Sequence, residues 1–234
     1  MRRGLRRPMT PWTPLLLLIL LPSAIRGHSD CLEEDGGWFT NRYTAPQEEE
    51  YCSVERRDAS LTYAEFIEQY AFSRPVILRG ITSNLAFQAL CTKKMLLQEF
   101  GDRIVRLSTA NTYSYEKVDV PFQEYVEHLL KPQDEDTLGC GSGTGVPFHW
   151  HGPGFSEVIF GRKRWFLYPP EKTPEFNPNE TTLSWLANTY PLLSEQDRPV
   201  ECTIRPGEVL YFPDRWWHAT LNLDTSVFIS TFLG

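Results

Sequence analysis

Residues 160–170 read FGRKRWFLYPP, that is Phe160-Gly161-Arg162-Lys163-Arg164-Trp165-Phe166-Leu167-Tyr168-Pro169-Pro170. A glycine lies near one end, a proline pair closes the other, and Arg164 to Tyr168 are mostly aromatic and apolar. That is the composition of a short buried strand between turns. The same punctuation recurs toward the C-terminus. Val200 to Ile204 precede Pro206-Gly207, Val209 to Phe212 precede Pro213, and Trp216 to Leu223 and Ser226 to Phe232 complete the set. Closely spaced short strands with turns between them predict a mainly β fold, an antiparallel sandwich or barrel.

On the N-terminal side the periodicity changes. Thr62 with Glu65 has the spacing of a capping box, and Tyr63, Phe66, Ile67 and Tyr70 repeat at helical intervals, so residues 62–70 are predicted as an amphipathic helix. Pro75 to Gly80 read as a buried strand ending at a turn. A second helix is predicted over 91–100, stopping at Gly101, and Ile104 to Leu107 start another strand. Pro121 suits a first helical position, with Phe122, Tyr125, Val126, Leu129 and Leu130 carrying a third helix. With 234 residues, 41% of them hydrophobic, the chain can bury one sizeable core. Its net charge of -7 leaves no basic face, which argues against nucleic acid as a partner.

Two of the five histidines stand one residue apart in Pro147-Phe148-His149-Trp150-His151. Side chains alternate along a strand, so His149 and His151 are expected on one face with Trp150 on the other. Two imidazoles on one face can be two legs of a metal site. His218, in Asp214-Arg215-Trp216-Trp217-His218, is the best candidate for the third, since His28 and His128 fall in the lead-in and on a helix. The plainer alternative, histidines with ordinary hydrogen bonds, stays open on spacing alone.

Taken in order, Pro147 to His151, Phe160 to Pro170, Gly207-Glu208-Val209-Leu210-Tyr211-Phe212-Pro213 and Trp216-Trp217-His218 resemble the jumonji-C family, with Arg74 to Gly80 and Ser60 to Phe66 matching its lead-in. The resemblance covers residues 52 to 234 and implies a double-stranded β-helix, the cupin-type jelly roll, with N-terminal helices. Oxygenases of that family bind Fe(II) through His-x-Asp or His-x-Glu and a distal His, and chelate 2-oxoglutarate beside it. Carried over, His149 and His218 are metal ligands, His151 takes the place of the carboxylate, and Lys163 is the cation for 2-oxoglutarate. A buried ammonium needs an anion, which suits that role. Pattern alone also allows Lys163 to be a solvated turn lysine.

Three departures bear on activity. Imidazole at position 151 removes a negative charge and a hard oxygen ligand. Val146 has no hydroxyl where active relatives commonly offer one to 2-oxoglutarate. The polar, Gly-rich run from Lys131 to Gly145 is short where relatives place a barrel strand, which predicts an incomplete barrel with an exposed edge, a recognised association hazard. The domain is therefore expected to be catalytically weak or inactive, an interaction or regulatory protein working through protein partners, with metal binding but no turnover as one form. The alternative is an Fe(II)/2-oxoglutarate-dependent protein hydroxylase, a dioxygenase.

The N-terminus sets the compartment. Arg2, Arg3, Arg6 and Arg7 precede the apolar Leu15 to Leu21 and then small residues, the pattern of a signal peptide over 1–27, cleaved after Gly27 or Ala24. The apolar run is far short of the ~20 residues of a bilayer span, so none is expected after cleavage. Residues 28–52 form an acidic lead-in and 53–234 the jumonji-C-type domain. The endoplasmic reticulum lumen is the expected location, although Ser230 to Gly234 are no retention signal. An oxidising lumen favours disulfides among Cys31, Cys52, Cys91, Cys140 and Cys202, with Cys31–Cys52 the expected bridge. Asn179-Glu180-Thr181 is a glycosylation sequon.

Overall fold

The computed structural model describes residues 35–38, 51–131 and 141–233, and within them two sheets face each other across a shared core. The larger sheet takes β1 (Arg56–Asp58), β2 (Val76–Arg79), β8 (Glu208–Phe212), β5 (Gly154–Phe160) and β10 (Val227–Phe232), in that spatial order. The smaller takes β7 (Val200–Ile204), β6 (Lys163–Tyr168) and β9 (Trp217–Asn222). Ile77, Val158, Leu210 and Phe212 from the first sheet meet Trp165, Leu167, Cys202 and Ile204 from the second. Burying each such side chain contributes about 1.5–3 kcal/mol. This is a jelly roll, as expected, and its mainly β character follows from the strand-forming runs read above.

Both sheets are covered on their outer faces as well, which is why their strands read as nearly continuous apolar runs. On β6, Lys163, Trp165 and Leu167 face inward, while Phe166 and Tyr168 face outward to Trp185 on α5 (Thr182–Asn188) and to Tyr190. Over the larger sheet, α1 (Tyr63–Gln69) sets Phe66 and Tyr70 near Tyr211. The Thr62 hydroxyl accepts from the Glu65 N–H, and the Glu65 carboxylate accepts from the Thr62 N–H, 2.9 Å. The capping box is thus formed as the sequence predicts. Helices α2 (Leu85–Leu90), α3 (Lys93–Phe100) and α4 (Phe122–Glu124) cover Ile159 and Phe160.

Three expectations need correction. Pro121 does not open the third helix: it ends β4 (Lys117–Pro121), paired to β3 (Ile104–Ser108), and caps α4 from outside. Its extended ψ, 142°, suits a strand end. Beyond α4 the chain widens into a π-helical turn, Tyr125–Leu129, closed by Leu130 N–H to Tyr125 O. Second, Cys52 bonds to Cys202 across 150 residues, not to Cys31, which lies outside the described residues. The Ser53 and Glu201 backbones are hydrogen-bonded, which brings Cys52 against β7. Third, His149 and His151 lie on no regular strand. Proline at 147 and 153 withholds ladder donors, and β5 starts only at Gly154.

The segment before β5 nonetheless runs antiparallel beside β9. Gly143 donates to Asn222 O, Asn222 to Thr144 O, Thr220 to Val146 O and His218 to His149 O. This irregular fourth lane approaches β9 so closely that a Cβ on Gly145 would stand 1.7 Å from Thr220 O, which only glycine avoids. The barrel is not closed. Among the described residues β10 pairs only with β5, and β3 and β4 form a separate two-stranded sheet, so an edge stays open as the short junction predicted. No helix among the described residues is long and apolar enough to cross a membrane. The predicted signal peptide, 1–27, lies outside them.

Candidate metal centre

The jelly roll brings His149, His151 and His218 together. One ring nitrogen from each lies within 4.8 Å of the others. His218 points inward from β9 opposite Leu167 and is 2% exposed. His149 reaches it through a single antiparallel bridge. The two-residue spacing then brings in His151, with its ring 4.6 Å from that of His218. Trp150 points away, 53% exposed, so the alternation predicted for a strand survives without one.

Each Nδ1 is tied to a backbone carbonyl: His149 to Pro147 O at 2.9 Å, His151 to Gly152 O at 2.8 Å, His218 to Trp216 O at 2.9 Å. A carbonyl only accepts, so each Nδ1 carries the hydrogen and each Nε2 is left as a lone-pair donor. That arrangement orients histidines for a metal. The Nε2 atoms of His151 and His218 are 3.1 Å apart, and two bare lone pairs so close repel unless a cation lies between them. A proton suits the place poorly. Burial, and then the neighbouring His149, push His218 down to about 3, and burial also lowers His149. Divalent zinc, with nitrogen ligands at about 2.0–2.1 Å, fits the 3.1 Å separation of the His151 and His218 nitrogens. The walls are aromatic: Phe212 lies 4.7 Å from the His218 ring and Phe232 4.4 Å from His151, centroid to centroid.

Lys163 lies inward, 2% exposed, not in solvent at the turn. Its Nζ donates to Asn222 Oδ1 at 3.0 Å and stands 3.9 Å over the Phe228 ring. Asn222 in turn donates to the Thr144 hydroxyl, 3.1 Å, which donates to Gly141 O. Burial lowers the ammonium to about 7, the response of a charge held by neutral partners. Two residues on, the indole Nε1 of Trp165 is buried without a hydrogen-bond partner. This inner wall therefore offers donors in search of an acceptor, which suits a carboxylate. Val146 contributes no hydroxyl, and its N–H is spent on Thr220 Oγ1.

Asn222, Thr144 and Trp165 escaped the sequence reading. Period-two counting was the available signal: 218, 220 and 222 share one face of β9, as 163 and 165 share one face of β6. The remaining candidates lie apart from the cluster. His128 is exposed on the π-helical turn, and His28 is outside the described residues. Asn179 is exposed in a turn before α5. Cys91 is a buried free thiol whose pKa burial raises, so it is a poor nucleophile.

The cupin-like domain family matches residues 140–232, which hold all three histidines and Lys163. The human JmjC domain-containing protein 8 is 59% identical over 266 residues, covering 97% of this chain and 100% of the relative. Its mouse counterpart is 54% identical over 276 residues, covering 100% and 98%. Both aligned stretches exceed the 234 residues here, so those relatives hold residues for which this chain has no counterpart. More distant is the chicken 2-oxoglutarate and iron-dependent oxygenase JMJD4, 24% identical over 199 residues, covering 58% of this chain and 47% of the relative. Identity of 54–59% to the human and mouse proteins over nearly the whole chain, on a jelly roll with converging histidines, makes this chain a member of the JmjC-domain family.

Proposed function

We propose that the domain holds a divalent metal ion through His149, His151 and His218 and accepts 2-oxoglutarate beside it at Lys163. On this reading it is catalytically weak or inactive and serves as a ligand-responsive interaction or regulatory protein of the secretory-pathway lumen. The observation that carries the proposal is three converging imidazoles in a cluster that, among the described residues, contains no carboxylate. A carboxylate ligand partly neutralises an iron ion and favours its oxidised state, whereas three neutral rings leave the full double charge in place. Binding is then retained while electron transfer to oxygen is disfavoured. The Cys52–Cys202 bridge supports an oxidising compartment, as does the signal-like N-terminus.

Lys163 favours a second reading, the Fe(II)/2-oxoglutarate-dependent protein hydroxylase. A buried ammonium without an acidic partner among the described residues is what a dicarboxylate cosubstrate requires. When bound, the iron and cosubstrate would supply oxidising power, and this chain would supply the orienting groups. Turnover of 2-oxoglutarate by the purified protein with Fe(II), beside a His151→Asp variant and metal analysis of both, separates the two. Turnover in the unmodified protein overturns the inactive reading. Bound metal in both proteins, with turnover in the variant alone, upholds it.

A further inference from the structure

We propose that Trp165 is a further cosubstrate-binding residue, its indole Nε1–H donating to an oxygen of 2-oxoglutarate lying between Lys163 and the three histidines. The inference rests on the reading that the jelly roll accepts that dicarboxylate. Three inward rungs of β6 face three of β9: Lys163 opposite Asn222, Trp165 opposite Thr220, and Leu167 opposite His218. The ammonium thus marks one end of the interior and the metal cluster the other. Trp165 holds the rung between them, with its ring centroid 5.9 Å from that of His218. A dicarboxylate held at one end by Lys163 and at the other by the cluster would lie along this indole.

The indole N–H singles Trp165 out. Trp38 and Trp185 are comparably buried, and each donates to a backbone carbonyl, Cys91 O and Glu175 O, both at 2.8 Å. Trp165, 3% exposed, has no acceptor. Buried donors are nearly always satisfied, and the exceptions call for a cause such as a ligand. The other buried orphan, the Thr182 hydroxyl, sits in α5 on the outer side of the smaller sheet, away from Lys163 and the histidines. Among the described residues, Trp165 alone combines a buried unmet donor with a position inside the site.

The test uses the full chain loaded with Mn(II), titrated with 2-oxoglutarate by calorimetry, comparing the unmodified protein with Trp165→Phe. Phenylalanine keeps an aromatic ring in the core and removes the donor together with part of the ring volume, so the resonance shift is read beside the affinity. A hydrogen bond to a charged acceptor predicts a ten- to hundredfold loss of affinity, approximately, with metal content unchanged. With diamagnetic Zn(II) in place of Mn(II), the ¹⁵N-indole resonance absent from the Trp165→Phe spectrum should move downfield in the unmodified protein as 2-oxoglutarate is added. Affinity within twofold, or an indole resonance that stays put while 2-oxoglutarate binds, overturns the role of Trp165 and leaves the cosubstrate reading standing. No binding to the unmodified Mn(II)-loaded protein overturns both.

Discussion

Lys163→Met is predicted to stabilise the ligand-free protein at neutral pH and to abolish its response to 2-oxoglutarate. Burial takes the ammonium from 10.5 to about 7 in the folded state, so between those values the unfolded chain binds the extra proton. Stability therefore rises with pH across that window, and the deficit is largest at and below neutrality. Moving the group from its ordinary value to about 7 corresponds to about 4 kcal/mol of destabilisation at pH 7. Methionine removes that charge but leaves Asn222 Oδ1 without its donor, a loss of about 1–3 kcal/mol. The net gain is about 1–3 kcal/mol, or roughly 2–12 °C in Tm for a chain of this size. Thermal melts without dicarboxylate at pH 7 and pH 10 read the effect directly. The variant should melt higher at pH 7, with the gap closing or reversing at pH 10, where the Asn222 loss remains and most of the charge penalty is gone, while added 2-oxoglutarate should raise only the unmodified protein. A variant that melts lower at pH 7, or a gap indifferent to pH, would refute the account of Lys163 as a buried ammonium awaiting an anion.

His218→Ala should abolish the stabilisation that Zn(II) gives the unmodified protein, about 2.7 kcal/mol at a hundredfold excess over Kd, read as the shift in Tm between melts with metal and with chelator. Gly145→Ala would put a Cβ against Thr220 O and so push the lane carrying His149 and His151 off β9. Reduced soluble yield and lost metal retention are expected, and a variant that folds and holds metal normally would contradict the close approach.

Much of the fold could be read along the chain because local rules decide local structure. Arg164 to Tyr168 and Val200 to Ile204 announce strands by composition and by the prolines that bound them. Thr62 and Glu65 announce a helix start because their spacing satisfies two orphan N–H groups at once. Some elements gave little local signal. β1, Arg56–Asp58, is polar and three residues long, a strand only because it lies parallel to β2. α5 sits in a proline-rich stretch, and its apolar side is explained only by the β6 face it covers.

The three histidines were named by spacing and resemblance, and their shared facing follows from the two-residue repeat of extended chain. What no reading along the chain could supply is the set of partners each group meets. The carbonyls of Pro147, Gly152 and Trp216 fix the tautomers, and the Cys52–Cys202 bridge joins residues 150 positions apart. Whether Lys163 faced the core or solvent depended on register, since a slip of one residue turns every side chain of β6 to the other sheet face. Composition, periodicity and punctuation thus determined which segments become strands and helices and which residues are able to bind a metal. Only the tertiary structure decided that the imidazoles converge, that the ammonium is buried and that the Trp165 N–H has no acceptor, because facing and partnership are set by strand pairing between distant segments.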